Sequence, residues 1–497
     1  MNAPFSSETL ETLKADLAGK ARRHFIDGDF ADAASGETFD VIDPATGRRF
    51  ASAAMGGAED IDRAVKAARA AFDGWAATPP AQRARLMLKL ADLIEAEGER
   101  IALTESLDNG MPFMMAKFAG IGGAAEQLRY NAGWATKITG ETMQISWPGE
   151  WQAMSLREPV GVVGAIVPWN FPFVMAVAKI APAIAAGCTL VLKPAEQTPL
   201  TAAILGELIA KAGFPAGVIN IVTGFGETAG AALVDHPGID KISFTGSTSV
   251  GKAILRSATG NLKRVTLELG GKSPTMIFAD ADLAKAIPAA AMGIFGNAGQ
   301  VCAAGSRLYV HEKVYDEVVA GISERAKSLR VGAGLAPGTE MGPLVSQEQL
   351  DRVLSYIEAG MNEGAAVGVG GARIEGEGYF VQPTVLTGTA SGMKVVEEEI
   401  FGPVLCAMRF GDDDLEKIAA SANDSSYGLS SAIWTRDLST ALKLARRLKA
   451  GTVRINGGMG VDPAMPLGGY KQSGWGRENG RAGVEAYTEL KSVTIGL

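Results

Sequence analysis

Cys302 lies in Gly299-Gln300-Val301-Cys302-Ala303-Ala304-Gly305-Ser306-Arg307, a run of small residues that lets a substrate approach a thiol closely. Cys188 and Cys406 sit beside apolar runs and read as core; a lone cysteine such as Cys302 can also be packing. Glu268 interrupts the apolar run Val265 to Leu269 and is followed by Gly270-Gly271. A carboxylate near the end of a buried strand is costly unless paired or used, so Glu268 is a candidate base with a raised pKa. Asn170, inside Pro168-Trp169-Asn170-Phe171-Pro172, is an amide in an apolar turn, suited to donate to an oxyanion or to cap the next helix.

A second group of residues suits phosphates and ribose. Phe244-Thr245-Gly246-Ser247-Thr248-Ser249-Val250-Gly251 places two glycines, Gly246 and Gly251, around the first turn of a helix, where free N–H groups suit a phosphate. The spacing departs from GxGxxG, and a tight turn is the plain alternative; Gly224-Phe225-Gly226 is open to the same reading. Lys193 and Glu196 follow the carboxyl end of a predicted strand, where they suit ribose hydroxyls or form a solvated ion pair.

These residues need a frame. Apolar runs at Val162 to Val167, Thr189 to Leu192, Val218 to Val222, Lys241 to Phe244 and Val265 to Leu269 alternate with helical patterns and predict a parallel, doubly wound α/β sheet. A second α/β series follows, with strands expected at Thr275 to Phe278, Arg307 to Val310, Val404 to Met408, Ser431 to Trp434 and Thr452 to Ile455. Ile61, Val65, Ala68 and Phe72, then Leu86, Leu90 and Leu93, recur at helical spacing. Thr142 to Trp147 and Trp151 to Leu156 flank Pro148-Gly149 as an expected hairpin, and Leu490 to Ile495 is an expected strand. Such edges invite another subunit.

The chain has 497 residues, 47% hydrophobic and 21% charged, with a net charge of -8, enough for about three domains. The acidic balance argues against a nucleic-acid partner. Three scattered cysteines and three histidines, His24, His236 and His311, form neither a disulfide framework nor a metal-ligand pattern, so no metal is expected and a reduced, cytoplasmic protein is the economical reading. Met1 to Lys20 lacks an export pattern. Gly161 to Leu192 is apolar but interrupted by Pro168, Asn170, Pro172, Lys179 and Pro182, so no membrane span is expected.

Taken together, Pro168 to Pro172, Leu267-Glu268-Leu269-Gly270-Gly271-Lys272, the Cys302 loop, Glu399-Ile400-Phe401-Gly402-Pro403 and Pro466-Leu467-Gly468-Gly469-Tyr470-Lys471 resemble the aldehyde dehydrogenase superfamily, in its order and approximate spacing. The resemblance runs from about residue 20 to the end. It implies a Rossmann-like NAD-binding domain of residues 1-137 and 159-269, an α/β catalytic domain of 270-479, and a small β oligomerisation arm of 138-158 and 480-497, in a homodimer or homotetramer.

The resemblance also implies roles. Cys302 is the nucleophile that forms a thiohemiacetal and then a thioester, Asn170 and the Cys302 N–H hold the oxyanion, and Glu268 activates the hydrolytic water. Lys179 supports the thiolate or Glu268. Lys193 and Glu196 match adenosine-ribose ligands, Ser247 and Trp169 pyrophosphate contacts, and Glu399, in one motif with Phe401, the nicotinamide ribose ligand; Gln349 and Arg352 fall near further ribose contacts. A carboxylate at Glu196 accepts from a 2'-OH and repels a 2'-phosphate, favouring NAD over NADP. Gly123, Ala178 and Gly296 stand where members oxidising small aldehydes often carry bulk, and Val301 and Ala303 flank the nucleophile. With Phe171, Met175, Met292, Met459, Val461 and Leu467 as lining, the expected substrate is a bulky apolar aldehyde, aryl or terpenoid; the Cys302 loop is similar to that of phenylacetaldehyde dehydrogenases.

Other readings compete. A small aliphatic or betaine-type aldehyde would use the same chemistry. A coenzyme A-acylating relative would not need Glu268, and a structural lens-type relative would not need the catalytic set. A reductase with a Tyr-x-x-x-Lys pair would draw on Tyr309 and Lys313 or on Tyr487 and Lys491, but each pair adjoins a predicted strand.

Overall fold

The computed structural model describes residues 5–411, 415–458 and 460–497. Its centre is an eight-stranded sheet in the order Gly474–Trp475, Arg264–Glu268, Lys241–Thr245, Val162–Ile166, Thr189–Lys193, Ile219–Ile221, His24–Ile26 and Asp29–Ala31. The five inner strands are parallel and match the five expected apolar runs to within one or two residues; the flanking strands join antiparallel. From Val162–Ile166 the chain first builds toward Thr189–Lys193 and Ile219–Ile221, then returns to add Lys241–Thr245 on the other side. That reversal opens a crevice outside the carboxyl ends of the strands, the preferred ligand position in such sheets.

Helix Pro172–Ala186 follows Val162–Ile166, starts with proline at its first turn and ends on Gly187 at φ 96°. Most of its residues are buried, which explains its continuous apolarity. Among the described residues no helix is long and apolar enough to cross a membrane. Helix Ala58–Ala76 buries Ile61, Val65 and Ala68 on one face, as the spacing predicts.

A second sheet runs Ala366–Val369, Thr384–Thr387, Val404–Phe410, Arg307–His311, Pro274–Ile277, Ser430–Trp434 and Thr452–Ile455. All pairs are parallel except the first. The five expected strands are its core, and the first two were not anticipated. Each sheet packs its own apolar cluster, one around Phe173, Ile180 and Leu190, the other around Ile294, Leu308 and Val404.

The expected hairpin is corrected. Only Thr142–Met143 is strand on its first side, paired with Ala153 and Met154, so the connection is far longer than a turn at Pro148-Gly149. Trp151–Pro159 instead pairs antiparallel along its whole length with Thr488–Gly496, which extends the expected terminal strand at both ends.

Candidate active site

Four of the residues singled out follow the carboxyl ends of neighbouring parallel strands: Asn170 after Val162–Ile166, Lys193 closing Thr189–Lys193, Ser247 after Lys241–Thr245, and Glu268 closing Arg264–Glu268. Adjacency of these strands converts distant sequence positions into one crevice.

Asn170 is buried, and its Nδ2 donates to the Gln300 carbonyl at 2.8 Å. The helix that begins at Pro172 has no side-chain cap, so the capping alternative is set aside. Asn297 Nδ2 in turn donates to the Asn170 carbonyl at 2.8 Å, and Gln300 Oε1 accepts from Val345 N–H at 2.9 Å. Asn297, Ala298 and Gly299 all take positive φ, 49°, 53° and 71°, so the backbone winds left-handed just before the Cys302 loop. Two non-glycine residues in that region are held by these amide bonds rather than by propensity. Gly299 and Gly271 are needed for close approach: a Cβ on the first would strike the Gly402 carbonyl and on the second the Cys302 carbonyl.

Cys302 is half-buried, and burial together with Glu399 and Glu268 pushes its thiol up to about 12. The other two cysteines are fully buried and free; Cys188 Sγ donates to the Tyr487 carbonyl at 3.3 Å. Glu268 is 5% exposed and its Oε1 has no hydrogen-bond partner. Burial raises its carboxyl well above the usual carboxylate range, Glu478 adds to the rise, and Lys179 and Arg477 oppose it. Lys179, fully buried, forms an ion pair with Glu478. The lone charge of the apolar helix thus has a partner, and the pair sits within electrostatic reach of Glu268.

On the cofactor side, Lys193 is buried and its Nζ donates to Glu196 Oε2 at 2.8 Å. The solvated-pair alternative is therefore set aside. Burial lowers the ammonium and Glu196 offsets it. Gly230 packs beside this lysine, with a Cβ there 3.8 Å from Lys193 Cδ. Ser247 caps helix Thr248–Ala258, its Oγ accepting from Val250 N–H at 3.3 Å. Gly246 is half-buried at that turn, whereas Gly251 is turned to the sheet: a Cβ would sit 2.7 Å from Leu269 Cδ2. Phe225 and Val250 were not anticipated; they are exposed large apolar residues, 39% and 47%, at the starts of the two helical segments that follow Ile219–Ile221 and Lys241–Thr245.

Glu399 Oε1 accepts from Gly271 N–H at 2.9 Å, and its other oxygen lies where a side chain on Gly270 would be. Burial brings its carboxyl up to about 7, with Lys272 and Arg352 opposing. Gln349 Nε2 donates to the Phe401 carbonyl at 2.7 Å, and Arg352 Nη2 to the Glu399 carbonyl at 2.6 Å. Both side chains thus brace the Glu399 loop from behind. Phe401, at φ 59°, meets Trp169 edge to face with centroids 5.2 Å apart.

The expected substrate lining is partly assembled. Phe171, Met175, Ala178, Gly123, Val301, Ala303 and Leu467 are half-buried. A Cβ on Gly123 would lie 3.3 Å from Val174 Cγ2, and one on Gly296 would lie 3.4 Å from Met292 Sδ and 3.9 Å from Met115 Cε. Met115 was not foreseen. Met292 and Val461 are 52% and 60% exposed, at the rim rather than the depth, and Met459 lies outside the described residues. Among the described residues no group of His, Cys, Asp and Glu could hold a metal. The two Tyr-x-x-x-Lys spacings do not form a site: Tyr309 OH donates to the Ser421 carbonyl, and Tyr487 OH to Ser243 Oγ while Lys491 pairs with Glu158 at the surface.

The model of the aldehyde dehydrogenase family matches residues 30–493. An aldehyde dehydrogenase of Enchytraeus buchholzi is 50% identical over 499 residues, covering 100% of this chain and 99% of that one. The phenylacetaldehyde dehydrogenase of Pseudomonas fluorescens is 48% identical over 478 residues, 95% of each. The structure of an aldehyde dehydrogenase from Bacillus cereus in complex with NAD+ superposes with a TM-score of 0.96 at 48% identity, over 100% of both chains. With the crevice, the isolated thiol and the buried carboxylate already in place, the match across nearly the whole length is decisive: the chain belongs to the aldehyde dehydrogenase family.

Proposed function

We propose that this protein oxidises a bulky apolar aldehyde, aryl or terpenoid-like, to its carboxylic acid with NAD as oxidant. The observation that carries the substrate class is Gly296, where, among the described residues, two flexible thioethers, those of Met292 and Met115, are all that approach the place of an absent side chain. The relative named for phenylacetaldehyde supports it.

NAD, when bound, supplies the two-electron acceptor. Lys193 and Glu196 would hold the adenosine ribose, Ser247 and Gly246 with Trp169 the pyrophosphate, and Glu399 the other ribose; a Glu196 carboxylate disfavours a 2'-phosphate. The cradle fits: Glu399 already lies against bare glycine backbone with one oxygen hydrogen-bonded.

The protein's own steps begin at Cys302. Its thiol gives its proton to solvent water, sulfur bonds to the carbonyl carbon as the C=O π pair moves onto oxygen, and the oxygen takes the charge. Asn170 Nδ2 uses one hydrogen on Gln300 and keeps the other for that oxygen, with the Cys302 N–H as second donor. Loss of hydride leaves a thioester on Cys302. Glu268, once ionised, takes a proton from water as the new C–O bond forms and the C–S bond breaks, releasing acid and restoring sulfur. Burial sets how readily Glu268 ionises, and the Lys179 and Glu478 pair adjusts it, since Glu478 adds to the rise and Lys179 opposes it. The same reading divides the chain at 1-137 with 159-269, 270-479, and 138-158 with 480-497, and the free cysteines suit the reducing cytoplasm.

The test is an aldehyde panel with NAD and NADP. The wild type should favour phenylacetaldehyde over acetaldehyde and NAD over NADP. Ala178→Trp or Gly296→Phe should cut kcat/KM for aryl aldehydes by roughly 10- to 200-fold while sparing short ones. Equal losses on both, or a wild type that favours acetaldehyde, would overturn the substrate class.

A further inference from the structure

The two peptide planes that flank the Asn170 Cα are each held by a buried asparagine amide from another part of the chain. The Trp169 carbonyl accepts from Asn109 Nδ2 at 2.7 Å, and the Asn170 carbonyl accepts from Asn297 Nδ2 at 2.8 Å. Both asparagines are buried, Asn109 completely. Because each peptide is rigid, fixing both planes fixes the direction of the Asn170 Cα–Cβ bond. The turn supplies little of this by itself: Phe171 stands at φ -141° and ψ 66°, outside the helical and extended regions, and Pro172 opens the next helix without a side-chain cap.

Asn109 is well placed to hold its end. It closes helix Gly98–Asp108, which is buried from Ile101 to Asp108, and its own N–H donates to the Glu105 carbonyl at 3.0 Å. Gly110 follows at φ 88°, where a Cβ would lie 2.7 Å from Pro343 Cγ and 2.8 Å from Pro44 Cγ, so the chain is wedged directly after Asn109. Asn109 Oδ1 accepts from Met111 N–H at 3.2 Å, which leaves the amide nitrogen to face Trp169. One turn earlier, Glu105 Oε1 accepts from Phe173 N–H, beyond Asn170, at 3.4 Å. That contact is long, and the tight hold from this helix is the one Asn109 makes.

We propose that Asn109 is a positioning residue for aldehyde addition: it holds the peptide before Asn170 so that the Asn170 amide keeps one hydrogen on the Gln300 carbonyl and aims the other at the oxyanion. The proposal rests on Asn170 as the oxyanion donor. Without the Asn109 amide the Trp169 carbonyl loses its donor, and its peptide turns to find another. The Asn170 Cβ moves with that plane, and a donor displaced from the developing charge loses most of its effect. Asn297 acts on the peptide that follows, but it lies in the left-handed segment just before Cys302, so replacing it would disturb the sulfur as well. Asn109 is on a separate helix and gives the cleaner test.

The test is a double-variant cycle on kcat/KM, at saturating NAD, for the best aldehyde of the panel. Asn170→Ala should lose about 100- to 1000-fold. Asn109→Ala should lose about 10- to 100-fold. If Asn109 acts through Asn170, the double variant should match Asn170→Ala to within about twofold. Alkylation of Cys302 by iodoacetamide, which builds no oxyanion, should keep its wild-type rate in Asn109→Ala, whereas a general loosening of the site would change it. Asn109→Ser keeps an oxygen for Met111 N–H but is too short to reach Trp169; it should lose as much, and it carries the cycle if the alanine variant does not fold. Losses that multiply in the double variant, single variants of Asn109 at wild-type kcat/KM, or alkylation that slows in step with kcat/KM would overturn the proposal and leave Asn170 in its role. An Asn170→Ala variant at wild-type kcat/KM would instead remove the oxyanion reading, and this proposal with it.

Discussion

At the scale of single residues, the proposed reaction divides its work between two acids with unusual environments. Burial raises the Glu268 carboxyl well above the usual carboxylate range and pushes the Cys302 thiol up to about 12, so burial opposes the charge that each proposed step needs. Cys302→Ala should abolish oxidation. Glu268→Gln should leave the first half-reaction but slow hydrolysis, so that intact-mass analysis after mixing with aldehyde and NAD shows an acyl adduct; an undiminished steady-state rate would remove Glu268 from the base role. Glu399 has a different signature. Its carboxyl is raised to about 7, so its charged fraction falls as pH drops through neutrality. An ionised carboxylate accepts from a ribose hydroxyl better than a neutral one. The KM for NAD should therefore rise as pH falls from about 8 to 6, and Glu399→Gln should start high and stay flat. A steep slope retained in Glu399→Gln would assign the titration elsewhere. Cys302, Glu268 and Asn170 could be found in the sequence because each is a polar exception within an apolar or small-residue setting. Glu478, Asn297 and Gln300 could not, since their importance is a partner brought from another element: Lys179 for the first and Asn170 for the other two.

At the scale of elements, the Cys302 loop is held by backbone contacts that tolerate no side chain. A Cβ on Gly271 would collide with the Cys302 carbonyl, and this glycine also donates to Glu399. Gly271→Ala should therefore move nucleophile and cofactor ligand together. A displacement near 1 Å costs about 100-fold, so kcat should fall at least that far while circular dichroism stays close to wild type and Tm falls by no more than a local overpacking of about 1 to 3 kcal/mol allows. A variant of near-normal kcat would show that the loop relaxes freely. The same contrast between burial and exposure explains which elements could be read in advance. The inner strands of both sheets are buried on both faces and appear as continuous apolar runs. Ala366–Val369 is mostly exposed and contains Gly368, and His24–Ile26 has three residues with a buried histidine, so neither carries a pattern. The short Thr142–Met143 strand shows the reverse failure. Its alternating, aromatic surroundings predicted a hairpin partner for the following strand, but the long pairing went to Thr488–Gly496, which no local signal could announce.

At the scale of the whole molecule, the three-stranded sheet is the feature that a single chain leaves unfinished. Its order places Thr488–Gly496 on one edge and Thr142–Met143 on the other, with Trp151–Pro159 between. The terminal strand is nine residues long, and one side of its backbone pairs with no other strand among the described residues. Leu490, Ile495 and Leu497 are 60%, 40% and 80% exposed, and Trp147 and Trp151 add exposed apolar surface beside them. Long exposed strands with apolar side chains are aggregation hazards unless covered, and nothing on this edge supplies the proline, bulge or dense charge that would blunt it. Arg264 and Lys491 tie the strand to its own chain through Glu489 and Glu158, which holds it in place rather than leaving it to fray. The expected assembly is a homodimer or dimer of dimers in which a second copy covers the strand. Light scattering at micromolar concentration should give a multiple of the chain mass. Leu490→Arg combined with Ile495→Asp should shift the protein toward monomer without altering the catalytic crevice, because both side chains are exposed and far in sequence from the Cys302 loop. Burying two charges against a partner's apolar surface costs several kcal/mol, enough to lower association by about a thousandfold or more. A wild type that scatters as a fully active monomer, or a double variant whose assembly is unchanged, would mean that this edge is not the docking surface.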